Sequence, residues 1–157
     1  MAIFDVEFPS DFLSDLLDTE FDEIAEAALT DAAPLLEISM KGCCEYAIMH
    51  EGDSELVESI EAGTPKKTKK GDAWIVNVAP RGYSLTKQYT AEYRHRGRKR
   101  KTNRKYPVSN ALKAIWKEYG IPGIQPPSPF LERACNNVRD MAIARMQEVY
   151  NRKVGAE

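Results

Sequence analysis

The sequence is short of the side chains that do most enzyme chemistry. It has two histidines, His50 and His95, far apart and with no partner at ligand spacing. An imidazole base or metal ligand needs an orienting acid or a second ligand at a fixed offset, and neither is there. Only three cysteines occur, Cys43, Cys44 and Cys135. An adjacent pair with one distant third makes neither a disulfide framework nor a zinc spacing, so all three read as small buried hydrophobes. No glycine-rich phosphate loop and no Gly-x-Ser-x-Gly elbow is present. No apolar run approaches the roughly 18 residues of a membrane helix. The first residues lack a basic stretch ahead of an apolar block, so no signal peptide is expected. The acids between residues 15 and 31 alternate with apolar residues at helical spacing, and they read as the wet side of a helix, not as a catalytic pair. These absences predict no enzyme, no catalytic residue, no metal, no cofactor and no membrane partner.

Basic residues are also scarce, but only in the first part of the chain. Residues 1–62 carry seventeen acids and a single base, Lys41, a net charge of −16. Residues 63–105 carry fourteen Lys/Arg and two acids, a net of +12, and residues 106–157 a net of +2. The overall charge of −2 therefore conceals two strongly opposed segments. Such segregation suits contact between copies or with a charged partner; its plainer reading is two solvated faces of a monomer.

The chain has 157 residues, 43% of them hydrophobic, which suits one domain with a core. We expect that domain over 19–153, preceded by an arm at 1–18. Within the arm, Phe4-Asp5-Val6-Glu7-Phe8 has the period of two of a short strand; docking on a neighbouring subunit is an equal alternative. Phe21, Ile24, Ala25, Ala28, Leu29 and Ala32 recur at three and four, and the apolar face continues to about Met49. This predicts one long helical region over 19–49, with a defect at 31–34 imposed by Pro34. Asp53 or Ser54 caps a short helix carrying Leu56, Val57 and Ile60. Residues 63–72 read as a basic turn, 73–79 as a strand closed by Pro80, and 83–93 as a second strand through Tyr83, Leu85, Tyr89, Ala91 and Tyr93.

Residues 94–105 hold eight basic side chains in twelve positions: Arg94, Arg96, Arg98, Lys99, Arg100, Lys101, Arg104 and Lys105. Such a run cannot bury itself and reads as a solvated loop whose partner is DNA phosphate, an acidic protein surface such as residues 1–62 of a neighbour, or nothing. From Pro107 the pattern is helical again. Ala111, Leu112, Ile115, Trp116 and Tyr119 share a face, and core packing is its expected use. Gly120 ends that helix. The proline-rich stretch 121–127 is expected to be extended and stiff. Ser128 and Pro129 are expected as N-cap and first residue of a last helix carrying Phe130, Leu131, Ala134, Val138, Met141, Ala142, Met146 and Val149 to about Arg152.

Several of these signals occur in an order that resembles a known family. Ser54-Glu55-Leu56-Val57-Glu58-Ser59-Ile60 is followed by Trp74 to Pro80, then Glu118-Tyr119-Gly120, then Ser128-Pro129-Phe130-Leu131-Glu132-Arg133-Ala134. This is similar to the tail-completion neck proteins of long-tailed bacteriophages, the lambdoid tail-component family, over roughly residues 20–152. Three features differ: the basic stretch 81–110 is longer, Val78-Ala79-Pro80 stands where Val-Gly-Pro is usual, and residues 1–18 have no counterpart. The resemblance implies an α+β fold, with a small antiparallel sheet flanked by a long N-terminal and a long C-terminal helix. It implies a virion structural protein, a connector ring subunit at the head–tail junction, made in the host cytoplasm. Its partners would be copies of itself in a ring, usually six-fold, and other neck and tail proteins, with genomic DNA passing through the channel. Trp116, Tyr119, Gly120, Pro129, Phe130 and Leu131 would set fold and interface geometry, and the basic run would make subunit or DNA contacts. The alternative is a nucleic-acid-binding module using residues 94–105.

Overall fold

A computed structural model describes residues 18–49, 53–71 and 73–155, so residues 1–17 of the arm expected at 1–18 lie outside the described residues, while Asp18 opens the first helix. The fold is α+β, as expected: a long N-terminal and a long C-terminal helix with small antiparallel sheets between them. Helix α1 (Asp18–Ile48) packs antiparallel on helix α4 (Phe130–Val154). Alanines at 25, 28, 32 and 33 of α1, with Ala134 and Ala142 of α4, are buried. Small side chains let the helix axes approach, and larger ones such as Leu36, Met40 and Val138 fill the space between.

The expected single long helical region is present and runs through Pro34 as one element, Asp18–Ile48. Proline removes one i→i−4 hydrogen bond and strains the turn before it, at about 3 kcal/mol. Pro34 is exposed, so water can satisfy the carbonyl that loses its donor. Buried Ala32, Ala33 and Leu36 on the opposite side hold the turn against the core.

Helix α2 (Ser54–Glu58) buries Leu56 and Val57 and leads into strand β1 (Ile60–Ala62). Strand β2 (Lys66–Lys67) follows. The expected strand at 73–79 is two shorter ones, β3 (Trp74–Ile75) and β4 (Val78–Pro80). β1 pairs with β4 and β2 with β3, both antiparallel. Gly63-Thr64-Pro65 divides the first side of this meander, since Pro65 has no N–H to continue a ladder. Two acids of α1 latch the strands from below. The Trp74 indole donates to Asp22 Oδ1 at 2.8 Å and Lys67 pairs with the same carboxylate. The Ala62 N–H donates to Glu37 Oε2 at 2.8 Å. Part of the acidic face of α1 therefore holds the sheet in place.

The largest departure is at residues 83–109. Strand β5 (Tyr83–His95) and strand β6 (Arg98–Ser109) form a long antiparallel ribbon that turns at Arg96-Gly97, both with positive φ. Two such residues make the tight hairpin turn whose twist matches the strands. The run 94–105 expected as a loop is thus the distal half of a paired ribbon. Lys and Arg neither favour nor forbid a strand, and the Arg-Gly turn decides the conformation.

Helix α3 (Asn110–Tyr119) ends, as expected, at Gly120. Residues 121–127 are not the extended bridge expected. Ile121 and Gln125 exchange backbone hydrogen bonds of 2.8 and 2.9 Å, closing a tight turn around Gly123. Gly120 has φ 74° and ψ 177°, a region open only to glycine. A Cβ there would stand 2.7 Å from the Gln125 carbonyl and 2.8 Å from Pro127 N. Gly120→Ala is expected to cost on the order of 1–3 kcal/mol, read as a lowered denaturant midpoint. An unchanged midpoint would mean the turn is not held this closely.

Candidate assembly surface

Helix α3 sits with its polar side inward. Asn110, Lys113, Ala114, Lys117 and Glu118 are buried, whereas Ile115 is 41% and Tyr119 70% exposed. Ala111, Leu112 and Trp116 are half-buried. The expectation that this apolar face fills the core is therefore corrected. The cause is ionic: two neighbouring elements present groups that only the polar face of α3 satisfies.

The first group is at the start of α4. That helix begins at Phe130, one residue later than expected, with Pro129 as a cap that has no side-chain hydrogen bond. Ser128 does not cap it; its N–H donates to the Lys117 carbonyl at 2.7 Å. The cap comes from α3, where the buried Glu118 carboxylate accepts from Leu131 N at 2.8 Å and Glu132 N at 3.3 Å. A carboxylate at a helix N-terminus satisfies orphan donors and meets the positive end of the dipole.

The second group is at the start of α2. Lys113 Nζ, 3% exposed, donates to Asp53 Oδ1 at 2.9 Å and Glu55 Oε2 at 3.2 Å. Glu55 also accepts from Leu85 N at 2.6 Å and from the Ser84 hydroxyl at 3.0 Å, and Asp53 pairs with Lys87 at 3.3 Å. The hydrogen bond from Leu85 N leads the interactions holding the Glu55 carboxyl below its ordinary value. This cluster clamps the irregular first turns of β5, residues 84–87, and so fixes the root of the ribbon.

Among the described residues the ribbon beyond that root pairs with no third strand, and residues 98–101 and 104–107 are exposed. Arg94, Arg98, Lys99, Arg100, Lys101, Arg104 and Lys105 lie along its two strands, and Arg96 at its turn. Pairing Thr90 with Lys105 and Glu92 with Lys101 puts Lys99, Lys101 and Lys105 on one face. Tyr89 and Tyr106, with ring centroids 5.9 Å apart, occupy the other. Lys101 approaches Glu92 at 3.8 Å, a weak exposed pair.

The remaining motif residues divide between core and surface. Phe130 and Leu131 are buried, Trp116 and Pro129 half-buried, and Tyr119 is surface. Tyr119, Ile121 and Ile124 border an open hollow of about 450 Å³ beside the 122–127 turn. A second apolar strip, Ile38, Tyr46 and Met49, lies exposed along the end of α1. Cys44 is fully buried, and burial first, then the nearby Asp53 charge, pushes its thiol up to about 12, the behaviour of an inert core residue. Sequence reasoning missed Asp53, Glu55, Lys113 and Glu118. The helical spacing of Asn110, Lys113 and Lys117 was the available signal. Among the described residues, no helix is long and apolar enough to cross a membrane. No family model, no curated protein and no solved structure matches the chain.

Proposed function

We propose that the chain is a virion structural protein, a connector or tail-completion ring subunit at the head–tail junction of a long-tailed bacteriophage. The observation that carries its assembly role is the inverted α3, whose polar face is spent inside the subunit while Ile115 and Tyr119 face outward. A helix that exposes its apolar face is one that finishes its packing against another molecule. A head-to-tail ring needs two different surfaces per subunit. The α3 face with the Ile124 turn supplies one, and the strip Ile38–Tyr46–Met49 on α1 the other. The opposed charge of 1–62 and 63–105 favours the same arrangement. The phage assignment itself rests on the order of the four motifs.

The test is mass photometry and electron microscopy of the chain with the neck proteins of its phage. Ile115→Glu and Tyr119→Glu are expected to abolish ring formation while the subunit stays folded; Tyr119→Glu, at a side chain 70% exposed, should move stability by less than about 1 kcal/mol. Rings that persist in both variants, or absence of the chain from virions, would overturn the proposal.

The ribbon supports a second reading, nucleic-acid binding. A two-stranded ribbon fits the major groove, and six of the twelve residues of β6 are Lys or Arg. DNA affinity falling steeply with salt, in a chain that forms no ring, would favour it.

A further inference from the structure

The ribbon is a structure with two open edges. Isolated two-stranded hairpins are marginal in water, and a third strand or a packed face normally completes them. Among the described residues, β5 and β6 pair only with each other. Strand β6 has the more basic edge, with Arg98, Lys99, Arg100, Lys101, Arg104 and Lys105, and it repels another copy of itself. An incoming strand should therefore be acidic. It should present acids on one side, toward Lys101 and Lys105; its other side meets Tyr106 together with Arg100 and Arg104.

Residues 3–8, Ile-Phe-Asp-Val-Glu-Phe, have this pattern: Asp5 and Glu7 alternate with Phe4, Val6 and Phe8. Residues 1–17 contain four acids and no base. We infer that residues 3–8 of one copy add as a third strand to the β6 edge of a neighbouring copy, resting on the assembly role proposed above. Backbone hydrogen bonds supply affinity, and the alternating side chains supply selectivity.

A fluorescent peptide of residues 1–17, titrated into the full chain and followed by anisotropy, tests this. Binding is expected, weakened at least about tenfold by Lys101→Glu with Lys105→Glu in the chain, or by Val6→Pro in the peptide. A peptide with Asp5→Lys and Glu7→Lys is expected to recover binding to the Lys101→Glu, Lys105→Glu chain, which loss of fold would not permit. No binding, equal binding to the reversed-charge chain, or equal binding of the Val6→Pro peptide overturns the inference. Rings that still form when Val6→Pro is in the chain sink this inference alone. Peptide capture by a chain that never forms rings sinks the assembly reading alone.

Discussion

Phe130→Ala is expected to lower the free energy of unfolding by about 3–5 kcal/mol, the largest effect of any single truncation in this chain. Phe130 is 1% exposed and is the largest fully buried side chain. It opens α4 and packs in one cluster with Met40 of α1, Leu56 of α2, Ile60 of β1, Val78 of β4 and Ala114 of α3. Removing the ring leaves a cavity bordered by several elements, and α4 cannot close it because Glu118 holds the adjacent N–H groups in place. Two costs therefore add: lost transfer of the ring from water, and lost contacts along the cavity wall. Urea unfolding at constant slope checks it. A midpoint within error of the parent would show that Phe130 is not in the core.

The parts of this fold legible in the sequence are those where hydrophobic period and burial agree. The apolar stripes of α1 and α4 repeat at three and four and bury most of the residues they name, from Ile24 to Ile48 and from Phe130 to Val149, while Met49 and Met141 are exposed. Helix α3 broke the rule that an apolar stripe faces the core. Its stripe was read correctly and its direction was not, because direction is set by Asp53, Glu55 and the first turn of α4, groups up to sixty residues away in sequence. Pro34 lies inside α1, where the packing on both sides of it offsets its local cost. The stretch 121–127 was read from its prolines as extended, whereas Gly120 and Gly123 set its path. The ribbon was half-legible: aromatic alternation announced β5, but in β6 the basic residues hid a strand that only the Arg96-Gly97 turn reveals. The candidate surface was legible as charge and invisible as shape.

Lys113→Met tests whether ionic demand sets the direction of α3. Lys113 is buried, but its partners Asp53 and Glu55 are partly exposed, and Lys87 still reaches Asp53 while Leu85 N and Ser84 still serve Glu55, so the loss at neutral pH is expected to fall below the roughly 3–5 kcal/mol of a fully buried pair. The loss should depend on pH with a definite sign. Burial pushes the Asp53 carboxyl up, but its hydrogen bonds and attraction to Lys113 and then Lys87 outweigh this and hold it below its ordinary 3.8. Glu55 is held below its ordinary 4.5, first by Leu85 N, then with help from Lys113. A carboxyl lowered in the folded state stabilises above its ordinary value and loses that contribution as pH falls through the folded one. The gap between parent and Lys113→Met is therefore expected to be widest above pH 4.5 and to narrow below 3.8, as the carboxyls take up protons. Hydrogen exchange gives a second readout, since freeing Glu55 loosens its hold on Leu85 N–H and should speed exchange at the ribbon root. A gap that stays constant across this pH range, with Leu85 exchange unchanged, would mean that the cluster neither orients α3 nor anchors the ribbon.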